Sequence, residues 1–389
     1  MKNLLAIVFA DAHVADRIWA HRPITGDAFY SVEQILDLAQ GYRCPWVIGC
    51  GDLLDSRTNR SSPIQFWNRM LDRFEQAGVR FGFLQGNHEY DDPPWLSHRH
   101  ATHLHERSLT IGGIRFYGLD FLPSGRLQEA LDAIQPGTQV LLAHQAWAEM
   151  CRPGSAWQGQ FADIPVVSMM FTGDLHEHRR VDTRGKDRQP LTVYSPGSTV
   201  MTSIDNDPHK FVYLLYDDLS VESQPLKTRP VLESSQIVHP EDLDAFLEEI
   251  PDRLRSAAEA AARDGLPEAL QKPILRVHYS WQLEDACARI QAATKGLCWL
   301  FLDESVPHLA PGEASEEDWE TLEQALQESC DEEDLVAAGL QLLACPDRSE
   351  KGIQAAIEEL VAQRLHAAKS QSCAGAVECI TSPPTETNE

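Results

Sequence analysis

The first 200 residues predict a layered α/β domain, and three features carry that prediction. Short apolar runs recur, each ends in a loop carrying Asp, Asn or His, and helical patterns separate them. LLAIVFA (4–10) runs into Asp11 and PWVIGCG (45–51) into Asp52. RFGFLQG (80–86) meets Asn87 and His88, QVLLA (139–143) meets His144, and VVSMMFTG (166–173) meets Asp174. Runs this short, rich in Val, Ile and Phe, read as strands buried on both faces. Between them, SVEQILDLAQ (31–40) and SSPIQFWNRMLDRFEQAG (61–78) have helical spacing, the second opening on Ser and Pro and closing at Gly78. Polar residues at successive strand ends predict one site along a single sheet edge.

Beyond residue 190 the text changes. LTVYSPGSTV and KFVYLLYDDLSVESQPL alternate like antiparallel strands that complete a second sheet of the same domain. Residues 239–272 read as helical, and KPILRVHYSW, EDACARIQAATKG and LCWLFLDESV as a small β-α-β unit. Residues 315–370 are helical and acidic, with Trp319, Leu322 and Leu326 on one face and Ile353, Ile357, Leu360 and Val361 on another. The polar ending SPPTETNE reads as disordered.

Composition narrows the function. At 389 residues and 43% hydrophobic, the chain can bury two or three domain cores. It has no run of about 18 apolar residues, the length a spanning helix needs. The start MKNLLAIVFADAH breaks at Asp11 and His13, so it reads as a first strand rather than a signal peptide. Nine cysteines without paired spacing favour free thiols in a reducing cytoplasm. The net charge of -26 argues against nucleic acid until it is divided along the chain. Residues 1–200 carry 19 Lys and Arg against 22 Asp and Glu, whereas 201–389 carry 14 against 37. The first half is therefore free to bind an anionic substrate.

Taken in order, the strand ends read Asp11-Ala-His13, Asp52-Leu-Leu-Asp55, Asn87-His88-Glu89, His144, and Asp174-Leu-His176-Glu-His178. Carboxylate, amide oxygen and imidazole without thiolate suit Mn²⁺, Fe²⁺, Mg²⁺ or Zn²⁺. There are too many ligands for one ion, and two ions about 3.5–4 Å apart, bridged by one carboxylate, would use them.

The series DAH, GDLLD, GNHE, His144 and GDLHEH resembles the calcineurin-like metallophosphoesterases, and within them the SbcD-type DNA repair exonuclease subunit. GDLLDSRTNRSSP, TIGGIRFYGLDF (110–121) and VYSPGSTV (193–200) are similar to the nuclease branch rather than to protein phosphatases. The resemblance covers about residues 1–230. It implies a layered β-sandwich metallophosphoesterase domain flanked by helices (1–232), a helical linker and small α+β cap domain (233–312), an acidic helical docking segment (313–372) and a tail (373–389). It also implies that Asp11, His13 and His176 hold one metal, Asn87 and His144 the other, and Asp52 bridges them. His88 would be the general acid toward the leaving 3′-oxygen, in a Mn²⁺-dependent 3′–5′ exonuclease and single-strand endonuclease. The implied partners are DNA, an SMC-type ATPase (SbcC-like) gripped by the C-terminal helices, and a second copy of the chain.

One departure matters. The resembled motif is Gly-His-x-His, whereas here Asp174 follows Gly173. Aligning on the glycine makes Asp174 a ligand with His176 and keeps the strand-end geometry, while sliding the register makes the pair His176 and His178. An Asp ligand favours Mn²⁺ or Mg²⁺ over Zn²⁺. Arg57 and Arg60, after the bridging Asp, and Arg179, Arg180 and Arg184, after the last metal motif, are candidate phosphate contacts. His98, His100, His103 and His105 lack a carboxylate at helical spacing and read as a surface or substrate-facing loop; Trp157 and Phe161 read as loop anchors. Two rivals remain: a metallophosphoesterase for small phosphodiesters or phosphoproteins, and a binding module with a dead metal site.

Overall fold

Side chains alternate across each central strand, and that period of two builds the layers. In β1 (Leu4–Phe9), Ile7 and Phe9 enter one core while Ala6 and Val8 enter another. In β7 (Val140–His144), Val140 and Leu142 join that second core, and Leu141 and Ala143 enter a third. The middle core therefore lies between two sheets, and the outer cores lie between each sheet and its helices. This computed structural model describes residues 2–17, 24–56, 61–152, 154–280 and 282–305.

The first sheet has the order β12–β11–β1–β2–β3–β4, with β2 (Trp46–Cys50), β3 (Arg80–Leu84), β4 (Ala101–His103), β11 (Lys210–Tyr216) and β12 (Val221–Leu226). Strands β1 to β4 are parallel, and β11 closes onto β1 antiparallel. The second sheet has the order β5–β6–β7–β8–β10–β9, with β5 (Ser108–Ile111), β6 (Ile114–Leu119), β8 (Met169–Gly173), β9 (Arg179–Arg184) and β10 (Pro190–Ser195). Its four inner strands are parallel, and both edge strands are antiparallel.

Helices α1 (Asp27–Tyr42) and α2 (Ser61–Gln76) cover the first sheet. Helix α1 buries Ala28, Ser31, Val32, Ile35, Leu36 and Ala39, one stripe at 3.6-residue spacing. It starts four residues before the SVEQ pattern, because Ala28 already belongs to that stripe and Gly26, at φ 94°, turns the chain into it. Helix α2 buries Phe66, Trp67, Met70, Leu71 and Phe74. The Trp67 indole donates to Leu53 O at 3.2 Å, which fastens the helix to the loop after β2. Helix α3 (Ser124–Asp132) covers the second sheet through Leu127, Ala130 and Leu131, a stripe too short to read in advance.

Three expectations are corrected. The stretch 191–230 does not complete one sheet: β10 lies in the second, while β11 and β12 lie in the first. Alternation says that a strand has one face toward a core, not which sheet it joins. Nor does the site follow a single sheet edge, since β1, β2 and β3 belong to one sheet and β7 and β8 to the other. The histidines at 98–105 do not form one surface loop: His98 and His100 stay in the loop before β4, while His103 is built into the sheet. His103 is in β4 and donates to Asp120 at 2.7 Å, and His98 lies 3.4 Å from Asp72.

After residue 230, β13 (Val231–Glu233), β14 (Ile274–Ser280) and β15 (Trp299–Ser305) form a third sheet beside α4 (Pro240–Arg263), α5 (Glu268–Gln271) and α6 (Ala286–Thr294). Leu243, Ile250, Leu254, Leu275, Val277 and Ile290 make its core, so the expected β-α-β unit is present. Arg229 ties it to α1, donating to both Asp27 carboxylate oxygens at 2.9 and 3.0 Å and to Lys272 O and Thr25 O. The chain divides into units Met1–Glu304 and Ser305–Glu389. The expected docking segment 313–372 and tail 373–389 lie outside the described residues.

Because Arg229 is buried, Asp27→Ala would leave its guanidinium with carbonyl partners but no counter-charge. We expect a loss of about 3–5 kcal/mol in urea unfolding, and a loss under 1 kcal/mol would make the pair a surface ornament.

Candidate metal centre

After β1, β2 and β8 the chain delivers its side chains by leaving extended geometry abruptly. Asp11, His13, Asp52 and Asp174 all have positive φ, at 51°, 43°, 49° and 80°. Such conformations cost about 1–3 kcal/mol each for residues with a Cβ and persist only where surroundings enforce them. Here the loops after β1 and β2 enforce each other: Asp11 N donates to Gly51 O, His13 N to Asp52 O and Val14 N to Leu53 O, at 2.9–3.0 Å. Glycine precedes Asp52, Asn87 and Asp174 for a steric reason. A Cβ on Gly51 would overlap the His144 ring, and one on Gly86 would overlap the Asp52 carboxylate.

The side chains converge around Asp52 Oδ2. His144 Nε2 lies 3.4 Å from it, His13 Nε2 3.9 Å and His88 Nε2 4.0 Å. Asp52 Oδ1 accepts from His88 N at 3.0 Å. On one side, ligand atoms of Asp11, His13 and His176 cluster within 4.8 Å of one another. On the other, His144 Nε2 lies 3.1 Å from Asn87 Oδ1 and 3.8 Å from Asp174 Oδ1. The structure thus brings Asp11, His13, Asp52, Asn87, His144, Asp174 and His176 into one cluster. His178 is elsewhere: its ring stacks on Phe211 and Tyr213, and its nitrogens meet Pro196 O and Ser223 Oγ.

The hydrogen bonds behind the ligands decide which nitrogens are bare. His144 Nδ1 donates to Cys50 O at 2.7 Å, so Nε2 has a free lone pair. Thr202 gives its hydroxyl hydrogen to Asn206 Oδ1 and therefore accepts from His176 Nδ1 at 3.3 Å. Asp55 Oδ1 lies 3.2 Å from His13 Nδ1, a short contact bent out of hydrogen-bond alignment that still favours the proton on Nδ1. Two bare Nε2 atoms, of His13 and His176, then face each other at 3.0 Å, and the buried Asp11 Oδ2 has no hydrogen-bond partner. Acceptors gathered without donors fit a cation, and the O and N donor set fits two hard or borderline divalent ions.

Charge follows the same logic. Burial pushes the Asp11 carboxyl well above its usual range, with His144 opposing and Asp52 reinforcing the rise. Burial also disfavours ionised Asp52, yet His144, then His13 and His88, outweigh it and hold Asp52 below the usual range. Burial works against a charged His144, but Asp52, Asp11 and Asp174 hold its pKa well up. Burial, then His13 and Lys210, push His176 down to about 4. Burial, then Asp52, push Glu89 up to about 8.

Contacts invisible in the sequence support the ligands from behind. Thr199 N donates to Asp11 O at 3.2 Å and Ser198 N to His176 O at 3.3 Å, so the VYSPGSTV stretch cradles two ligands. Lys210, almost fully buried on β11, donates to Ser198 Oγ at 3.0 Å. Thr202 and Asn206 carry no local signal that would have found them. His88 Nδ1 donates to Asp55 O at 2.8 Å, which aims Nε2 at the centre.

A cleft of about 950 Å³ opens beside Asp174 and His176, walled by Arg152, Glu177, Arg179, Asp205, Asp207, Glu233 and Arg276 among others. Arg179, Arg180 and Arg184 lie on edge strand β9. Arg180 pairs with Asp182 at 3.1 Å and Arg184 donates to Arg188 O, while Arg179 lines the cleft. Phe161 is buried against Trp147, as an anchor should be, whereas Trp157 is 45% exposed. Arg57 and Arg60 lie outside the described residues.

No protein-family model matches the chain. It is similar to the DNA double-strand break repair protein Mre11 of Methanosarcina acetivorans, 22% identical over 270 residues, 62% of this chain and 43% of that protein. The corresponding Haloferax volcanii protein is 28% identical over 196 residues, 47% of this chain and 43% of that protein. The chain spans under half the length of these curated relatives, which are in keeping with the SbcD-type resemblance of its motifs. Among solved structures, a dimetal phosphatase from Danio rerio aligns with a TM-score of 0.40 at 11% identity, over 58% of this chain and 97% of that one. The Pseudomonas putida nuclease MPE aligns at 0.27 and 14% identity, over 57% and 87%.

Two measurements test the centre. Burial raises the Asp11 carboxyl, whereas a cation beside it favours the ionised form, so binding and proton loss are linked. Calorimetric Mn²⁺ titrations in two buffers of different ionisation enthalpy should therefore report proton release that shrinks as pH rises. Gly86→Ala should weaken Mn²⁺ binding by about 10–100-fold in equilibrium dialysis, and undiminished binding would contradict the packing of Gly86 on Asp52.

Proposed function

We propose that this chain is a dimetal-dependent DNA nuclease that hydrolyses phosphodiester bonds in repair or recombination, as a 3′–5′ exonuclease and single-strand endonuclease. The observation that carries the chemistry is the ring of acceptors around Asp52 Oδ2, with His88 exposed at its rim. Relation to the Mre11 repair proteins supports DNA as the substrate.

Asp11, His13 and His176 would hold one ion, and Asn87, His144 and Asp174 the other, with Asp52 between them. Bound there, divalent ions supply a nucleophile at neutral pH and offset the charge that grows on the reacting phosphate. The carboxylate of Asp174 makes its half of the centre harder and more anionic, which favours Mn²⁺ first and Mg²⁺ next. His88 acts as general acid: Asp55 O holds its Nδ1, leaving Nε2 to deliver a proton to the leaving 3′-oxygen. Arg179 contacts phosphate within the cleft, and Arg57, Arg60, Arg180 and Arg184 extend the backbone contact. In the cell the chain works in the cytoplasm as a homodimer with an SMC-type, SbcC-like ATPase, gripped through the apolar stripes of 313–372. Among the described residues no helix is long and apolar enough to cross a membrane.

A second reading draws on the cleft itself. Glu177, Asp205, Asp207 and Glu233 line it alongside three arginines. Two of those arginines are engaged, Arg152 with Glu177 at 3.4 Å and Arg276 with Asp205 at 2.9 Å. Such a wall suits a small phosphodiester or phosphoprotein better than a long polyanion.

With Mn²⁺, end-labelled duplex DNA should be degraded from its 3′ end and protected by chelation, and His88→Gln should slow the reaction by about 10²–10⁴-fold. Asp52→Asn should abolish it. Turnover of bis-p-nitrophenyl phosphate with intact DNA would select the second reading instead, and wild-type rates in both variants would remove these roles. Arg179→Gln with Arg184→Gln should lower DNA affinity and the salt slope by about one per phosphate contact removed.

A further inference from the structure

Asn87 and His144 must meet, yet they hang from different sheets. Asn87 follows β3 of the first and His144 ends β7 of the second, with Asn87 Oδ1 3.1 Å from His144 Nε2. Asp120, one residue beyond β6 in the second sheet and 1% exposed, lies where both loops can be reached. Its Oδ1 accepts from Gln85 N at 2.8 Å, two residues before Asn87. Its Oδ2 accepts from His103 Nε2, on β4 of the first sheet, at 2.7 Å. Its backbone carbonyl accepts from the side chain of Gln145, the residue after His144, at 2.8 Å. The next residue adds a bond, Phe121 N to Gln85 O at 2.9 Å, and Asp120 N donates to His105 Nδ1 at 3.1 Å.

We infer that Asp120 is a positioning residue for the Asn87–His144 half of the centre: a cross-sheet pin that sets the separation of those two ligands. It touches neither ligand and no reacting atom. Asp11, His13 and His176 have separate supports, Thr199 N, Asp55 and Thr202 among them, so loosening the pin should release one ion and spare the other. A general structural prop would weaken both ions together. The inference rests on the two-ion reading of the centre.

The experiment is a Mn²⁺ titration of the full chain by calorimetry and electron paramagnetic resonance, on wild type, Asp120→Ala, Asp120→Asn and Gln145→Ala. Wild type should bind two ions and give an exchange-coupled dinuclear spectrum. Asp120→Ala should keep the first ion at wild-type affinity, bind the second about 10–100-fold more weakly, and show the six-line spectrum of isolated Mn²⁺ at one equivalent. Asp120→Asn keeps an acceptor for Gln85 N, and Gln145→Ala removes only the β7 tie, so each should give a smaller loss of the same ion. These two variants decide the matter if Asp120→Ala does not fold. Unchanged affinities for both ions, or equal weakening of both, would overturn the role of Asp120. Fewer than two ions in wild type would instead overturn the dimetal reading beneath it.

Discussion

The centre depends on a repulsion. Three carboxylates and several imidazole nitrogens are crowded at the ends of two sheets, mostly out of water, with few hydrogens directed inward. Buried acceptors without donors are unfavourable by several kcal/mol unless a proton or a cation joins them. Burial accordingly raises Asp11, and Asp52, Asp11 and Asp174 raise His144 against its own burial. The same arrangement is poised for divalent ions, since each neutralises what several protons otherwise must.

Holding such a cluster together requires a scaffold stiffer than its repulsion. The parallel strands supply it, because their ends are fixed on both faces by separate cores. The strained φ angles at Asp11, His13, Asp52 and Asp174 mark where that stiffness is used. Glycines ahead of three of the ligands let the strand-end loops approach within contact of one another, and no residue with a Cβ could replace Gly51 without displacing the His144 ring.

The cleft qualifies the chemistry. The proposed substrate is a phosphate ester, but the approach to the centre is walled by carboxylates as well as arginines, and two arginines are already paired. A polyanion must compete for those arginines, so binding should lean on the centre and Arg179 rather than on a broad basic surface. Both the nuclease reading and its rival follow from how that competition resolves.

Much of this was legible in the chain. Apolar runs ending in Asp, Asn or His marked the strands and nearly every ligand, because a buried strand and a ligand-bearing loop each leave a local signature. The register at Asp174 was not legible, because it turns on His178 being held by Phe211, Tyr213 and Ser223, residues over 30 positions away. For the same reason alternation could not say that β11 pairs with β1 while β10 joins the other sheet. Local residue order determined the ligand inventory and the period of burial. Only the tertiary structure decided which sheet each strand joined, which histidine turned away and which distant groups, Asp120, Thr202 and Lys210, stand behind the ligands. Those are long-range hydrogen bonds, and a chain records them only when it is folded.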